Sequence, residues 1–363
     1  MRQITIRQQI DPHPLSIDRI MRVMHNPWQI VGHDWAVNYF RRSIATGHVA
    51  HAYLLAGPSS IGKATLALRL AQALVCERGG GDPCLECRAC KRVEHSNHPD
   101  VRTISLASQA ASQKPDDSKS RELRIDTVRE WQRDIDLRPF EAQRRVFILD
   151  DADKLTDQAA NAMLKTLEEP PPYAVLILIA QGSGDLLPTI VSRCRVLRLR
   201  PVRRDVIAAA LRERYGLSED DAILPAAWSS GRFGWAARAI EDPDILEQQR
   251  TFLDVLADLR TGGRVARLKW AEERGKEYRI DQEGVLGWLF LWQTWWRDVL
   301  LMASGCSGSI TYLDRRAELA EVAASIQLEY IHDFLQRIGQ AREQLDDNVN
   351  PQLALENLVL HVP

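Results

Sequence analysis

Tyr53-Leu54-Leu55-Ala56-Gly57-Pro58-Ser59-Ser60-Ile61-Gly62-Lys63-Ala64-Thr65 holds a short apolar run, a glycine-bounded turn and the start of a helix. The spacing is G-x-x-x-x-G-K between a strand and a helix, the context that a phosphate loop requires. Glycines let the backbone curl until its N–H groups face a phosphate, and the N-terminus of the helix that runs on from Leu66 to Val75 adds favourable potential. Lys63 would neutralise the β and γ phosphates of a nucleotide. One position departs: the hydroxyl that binds Mg²⁺ belongs on the residue after the lysine, and here that residue is Ala64. Thr65 lies about 100° further round the helix and is a poor substitute. Gly57, Gly62, Lys63 and Thr65 are therefore the expected nucleotide contacts of a loop poorly equipped for Mg²⁺-dependent hydrolysis. A loop kept for the fold alone is the alternative.

Outward from this loop, apolar runs recur at Val146–Leu149 and Val175–Ala180, with helix-like segments between them. Short buried strands alternating with helices predict an α/β domain with a mostly parallel sheet. The run Val146–Leu149 ends in Asp150-Asp151-Ala152-Asp153. An apolar strand ending in paired acids resembles a Walker B element, in which Asp150 would hold Mg²⁺. Asp151 stands where a glutamate usually polarises the attacking water, one methylene short. Misplacement of such a group by about 1 Å costs on the order of 10²-fold. A solvated acidic loop is the bland reading. The Ser-rich stretch Ser105–Arg121 reads as a mobile surface loop.

Four of the six cysteines, Cys76, Cys84, Cys87 and Cys90, lie within fifteen residues. Four thiolates complete a tetrahedral structural zinc site, leaving no open position for catalysis; buried free or redox cysteines are the alternative. His95 and His98 lie nearby but are not needed. Further on, Arg193, Arg195, Arg198, Arg200, Arg203 and Arg204 make six arginines in twelve residues. Arg198 and Arg200 alternate with Leu197 and Leu199, as on an edge strand with a basic outer face. That face is either simply solvated or a contact for nucleic-acid phosphate.

After Pro201 the strand signals vanish and the chain reads as helical to Pro363. Val285–Ala303 approaches membrane-spanning length, but it contains Arg297 and Asp298, and its tryptophans sit mid-segment rather than at the ends. A buried or interface helix is expected. The 363 residues carry 47 basic and 49 acidic side chains, a net charge of −2, with 45% hydrophobic and 26% charged residues. That balance excludes whole-chain disorder and collagen-like repeats, and argues against nucleic-acid binding through bulk charge. The polar N-terminus has no continuous apolar core of a secretory signal, so a cytoplasmic setting is expected, where clustered cysteines suggest metal rather than disulfides.

Together these residues resemble the AAA+ clamp-loader subunits, most of all the delta prime type of bacterial DNA polymerase III. The resemblance is carried by Val31-Gly32-His33, His51-Ala52-Tyr53-Leu54, the phosphate loop, the four-cysteine insert, Asn161–Pro170 (NAMLKTLEEP) and Ser192-Arg193-Cys194. It is close from about Trp28 to Pro201. The resemblance implies a P-loop AAA+ module at 24–200 after a polar extension at 1–23, a helical lid at 201–242 and a helical collar at 243–363. It also implies partners: other clamp-loader subunits of gamma/tau and delta type, the sliding clamp and primed DNA, with no membrane. Arg193 would be an arginine finger reaching a neighbour's nucleotide. ATP with Mg²⁺ could bind here but would not be turned over, making the chain an accessory stator rather than an independent enzyme. Gly231-Arg232-Phe233-Gly234-Trp235-Ala236 resembles the lid turn in which ATPase subunits place an arginine at the position of Gly234. Gln181 stands near the γ-phosphate-sensing position. The alternative is an active gamma/tau-type motor, against which Ala64, Asp151 and Gly234 count.

Overall fold

The computed structural model describes residues 26–112, 122–347 and 349–363. The extension at 1–23 and the later part of the 105–121 stretch lie outside them. The chain divides into two compact units at Arg200/Pro201.

The first unit runs α1 (Asp34–Ala45), β1 (Ala52–Ala56), α2 (Lys63–Val75), α3 (Arg88–Glu94), β2 (Val101–Ile104), α4 (Leu106–Ser112), α5 (Ile125–Ile135), β3 (Arg145–Leu149), α6 (Asp157–Glu168), β4 (Ala174–Ala180), α7 (Pro188–Val191) and β5 (Arg195–Arg198). The strands form one parallel sheet in the order β2-β3-β4-β1-β5. Every residue of β1 and β4 is buried. A sheet covered by helices on both faces needs apolar side chains at every position, so AYLLA and AVLILIA are continuous rather than alternating. On one face Leu54, Phe147, Leu176 and Leu178 share a core with Trp131 and Ile135 of α5 and with Met163 and Leu167 of α6. On the other, the Tyr53 ring meets Phe40 of α1 edge-on, with centroids 5.2 Å apart.

Helix α6 is legible residue by residue. Thr156 caps it, its hydroxyl accepting from the Ala159 N–H at 3.2 Å. Ala160, Met163 and Leu167 are buried, while Leu164 is only half-buried. Pro170-Pro171-Pro172 prevents continuation.

Two elements depart from the sequence reading. Strand β2 was not expected; it is a four-residue edge strand whose VRTI gives little apolar signal. Helix α4 occupies part of the expected loop. Its start is held by a reciprocal pair, in which the Ser108 N–H donates to Ser105 Oγ (3.1 Å) and the Ser105 N–H to Ser108 Oγ (2.8 Å). Serines that compete with helix in the interior stabilise its first turn, so the same composition reads as loop or as cap. Strand β5 is the opposite edge strand. Leu197 and Leu199 are buried, and Arg198 and Arg200 are exposed, with Arg200 beyond the strand's end.

The second unit runs α8 (Arg204–Tyr215), α9 (Glu219–Trp228), α10 (Phe233–Glu241), α11 (Asp244–Thr261), α12 (Arg264–Tyr278), α13 (Gln282–Ala303), α14 (Arg316–Ser325), α15 (Leu328–Asp346) and α16 (Pro351–Val359), with no strand among the described residues. Helix α9 forms despite Pro225, which sits near its C-terminal end, and Ser218 caps its start. The tryptophans of α13 are buried. Trp288 stacks on Phe252 of α11 at 4.0 Å, Trp292 on Trp270 of α12 at 4.7 Å, and Trp296 meets Phe334 of α15 edge-on at 5.2 Å. Asp298 is fully buried but accepts from the Thr311 and Tyr312 N–H groups. No helix among the described residues is long and apolar enough to cross a membrane.

Truncating Met163 to Ala should cost about 2–5 kcal/mol of unfolding free energy, whereas Thr156→Ala should cost about 1 kcal/mol. Chemical denaturation of the two variants measures both. A loss for Met163→Ala no larger than for the cap would show that α6 does not pack on the sheet as described.

Candidate nucleotide, metal and arginine sites

Because the strands are parallel, their C-terminal ends share one edge of the sheet. Ala56 of β1 pairs with Ala180 of β4, and Leu149 of β3 with Leu178. Gly57, Asp150 and Gln181 are therefore the first residues beyond β1, β3 and β4, with the β4 position between the other two. The sheet thus brings the phosphate loop and the paired acids to one edge. The Gly57 N–H donates to the Ala180 carbonyl at 3.3 Å, and the Asp150 N–H to that of Ile104 at 2.8 Å. A side chain at 57 would collide with the Leu199 carbonyl oxygen, so only glycine fits. Gly62 caps α2 at φ +108°, a left-handed conformation that other residues avoid.

Lys63 is buried, and its ammonium donates to the Pro58 carbonyl at 2.9 Å and to that of Gly57. Burial lowers its pKa, opposed by the charges of Asp150, Asp153 and Asp151. Burial, reinforced by the Asp151 charge, raises that of Asp150. Asp151 adopts φ +56°, and its Oδ2 accepts from the Leu106 N–H that opens α4 at 3.4 Å. Ala64 is exposed and Thr65 half-buried. The Mg²⁺ donor set is thus incomplete, because the methyl group of Ala64 offers no oxygen. In the second unit, Arg232 is spent locally: its guanidinium lies 4.4 Å from the centre of the Phe290 ring and its Nε donates to the Ser229 carbonyl at 2.9 Å.

Arg193 belongs to the other edge. It precedes β5, whose first residue Arg195 pairs with Tyr53 near the start of β1. The four steps of β1 from Ala52 to Ala56 span about 13 Å at roughly 3.3 Å each. Arg193 and the phosphate loop are therefore separated by the length of the sheet. Its guanidinium is held by Glu168 of α6 (Nη2 to Oε1, 2.6 Å) and by the Thr189 carbonyl (Nη1, 2.9 Å). Sequence reasoning missed Glu168, although it lies inside the NAMLKTLEEP stretch; nothing in a glutamate next to a glutamate marks which one has a partner. Cys194 packs against the core, where burial pushes its thiol up to about 12.

Three of the neighbouring arginines are engaged by groups close to them. The Arg195 guanidinium lies 5.6 Å from the centre of the Tyr39 ring, Arg198 donates to Ser183 Oγ at 3.2 Å, and Arg203 pairs with Asp205.

The four cysteine sulfurs all lie within 4.8 Å of one another. A tetrahedral zinc with Zn–S bonds of about 2.3 Å sets sulfurs about 3.8 Å apart; Cys84 Sγ and Cys90 Sγ are 3.9 Å apart. The donor set fits. The Cys87 N–H donates to Cys84 Sγ at 3.3 Å and the Cys90 N–H to Cys87 Sγ at 3.4 Å, as suits sulfurs carrying negative charge. Burial pushes the Cys84 thiol up, but the N–H groups of Cys87 and Glu86 outweigh it and bring it to about 7. Burial holds the Cys90 thiol well above its ordinary value, so a metal would have to displace that proton. The knuckle is tied to the phosphate-loop helix. Gln72 of α2 donates to the Cys90 carbonyl at 2.9 Å, and buried Arg69 donates to Glu94 of α3 at 2.6 Å and to Gln29 at 2.6 Å. His98 is buried apart from this cluster, and its Nδ1 accepts from the Asp100 N–H at 3.1 Å.

Metal analysis of the purified chain should return about one zinc per chain, and Cys84→Ser should abolish it and lower the thermal midpoint. An unchanged metal content in that variant would refute the four-thiolate site.

The profile described as "DNA polymerase III, delta subunit" matches residues 32–203, and that described as "DNA polymerase III, delta subunit, C terminal" matches 246–362. The chain is 29% identical over 323 residues to DNA polymerase III subunit delta' of Bacillus subtilis, which covers 88% of this chain and 92% of the relative. It is 27% identical over 336 residues to that of Escherichia coli, covering 91% and 95%. It is 40% identical over 152 residues to that of Pseudomonas aeruginosa, covering 40% and 42%. With both profiles matched in order and delta' relatives aligned almost end to end, the chain belongs to the DNA polymerase III delta-subunit family.

Proposed function

We propose that this chain is a clamp-loader subunit of the delta prime type, helping to place a sliding clamp on primed DNA, and that its contribution to chemistry is Arg193 offered to a neighbouring subunit. The observation that carries this reading is the position of Arg193 at the sheet edge opposite the chain's own phosphate loop. An arginine there is too far away to stabilise charge on a phosphate bound at Gly57–Lys63, and on this reading it serves a subunit packed against that edge. Such arginines are worth about 10³–10⁵ in rate at the site they enter.

The chain's own nucleotide site supports a subunit that does not hydrolyse ATP. Ala64 supplies no metal-binding oxygen, the Asp151 carboxylate is engaged by the first turn of α4, and Arg232 is turned onto Phe290 inside the second unit. The partners on this reading are gamma/tau- and delta-type subunits, the clamp and primed DNA, in the cytoplasm. Residues 201–242 would form a lid and 243–363 a collar. The four cysteines would hold structural zinc, which organises a knuckle too small to build its own core; such sites contribute roughly 10–16 kcal/mol in small peptides.

The purified chain should show no appreciable ATP turnover; turnover abolished by Lys63→Ala would establish the motor reading instead. Reconstituted with its ATPase subunits, Arg193→Ala should leave assembly intact and remove the contribution of one site to pre-steady-state ATP hydrolysis. An unaltered hydrolysis phase would show that Arg193 is not the finger.

A further inference from the structure

We infer that Glu168 is the positioning residue for Arg193, fixing the direction in which its guanidinium leaves this chain; the inference rests on the reading of Arg193 as an arginine acting in trans. Arg193 is the last residue before Cys194 and β5, on a turn that would leave a long, flexible side chain free to sweep the surface. Two contacts remove that freedom: Nη2 donates to Glu168 Oε1 at 2.6 Å and Nη1 to the Thr189 carbonyl at 2.9 Å.

Both anchors stand on packed elements. Glu168 ends α6, whose Met163 and Leu167 lie in the core, and Thr189 is in α7, whose Ile190 is fully buried. The guanidinium is thus held from two nitrogens against two elements seated on the sheet. A guanidinium has five N–H donors, more than these contacts use, so donors remain for a phosphate oxygen of a neighbour. A group aimed in advance at developing charge needs no reorganisation when the reaction occurs.

The ion pair is half-open to water, with the Arg193 and Glu168 side chains 34% and 50% exposed. Pairs this exposed add little to stability. The consequence of the carboxylate is therefore orientation, and its loss should be read in rate rather than in folding.

The test uses the full chain assembled with its ATPase subunits and follows the hydrolysis phase that Arg193→Ala removes. Glu168→Ala should slow that phase by about 2- to 5-fold, with unchanged ATP dependence, assembly and thermal midpoint. Glu168→Gln, which keeps an acceptor oxygen at the same reach, should restore most of the rate. Added to Arg193→Ala, Glu168→Ala should cause no further loss, because it acts only through that arginine. A wild-type rate for Glu168→Ala beside a loss for Arg193→Ala overturns the positioning role alone. So does an additive loss in the double variant. No loss for Arg193→Ala itself removes the trans-arginine reading and this inference with it.

Discussion

The parallel pairing of β1 with its two neighbours is the constraint that sets the functional layout. β1 is buried along its whole length between β4 and β5, and its register with both is fixed residue by residue. A slip of one residue would turn every side chain to the opposite face and put Tyr53 where Leu54 now packs. With the register fixed, the chain leaving β1 must emerge at one edge and the chain entering β5 must arrive at the other. The phosphate loop and Asp150 come together at the first edge. Arg193 and Glu168 come together at the second, because the helix that ends in Glu168 leads back to the start of β4. One sheet thus separates the phosphate loop from Arg193 without any further device, and the proposed service of a neighbouring subunit rests on that separation.

The four-cysteine knuckle adds a second tie to that loop. It is an insert between α2 and β2, and the hydrogen bonds from Gln72 to Cys90 and from Arg69 to Glu94 connect it to the helix that carries Lys63. Arg69 is buried among these partners, and a buried guanidinium is costly unless paired. The knuckle therefore has to be in place for the back of α2 to be satisfied. A metal held by the four cysteines would therefore have its structural consequence close to the phosphate loop.

Much of this was legible in the sequence because the signals were local. The G-x-x-x-x-G-K turn, the four clustered cysteines and the Thr156-capped helix each declare themselves within a dozen or so residues. The reading failed where a pattern had two meanings or where the partner was distant. Ser105 and Ser108 looked like loop residues and cap a helix instead. VRTI was too short and too polar at its edge position to show as a strand. Glu168 could not be singled out from Glu169, since what distinguishes it is a guanidinium 25 positions later. The tryptophan run at 288–296 was equally compatible with an interface or a core; the rings of Phe252, Trp270 and Phe334 packed against it decide for a core.

The central claim is that this chain's arginine and its own phosphate loop serve different subunits. The most direct measurement is photo-crosslinking of the assembled loader with an ATP analogue reactive at its γ-phosphate, together with mapping of the labelled peptides in this chain. The account predicts label at the turn containing Ser192 and Arg193, dependent on an intact phosphate loop in a neighbour and unaffected by Lys63→Ala here. Label at that turn that vanishes with Lys63→Ala in this chain, and persists when the neighbour's loop is disabled, would contradict it.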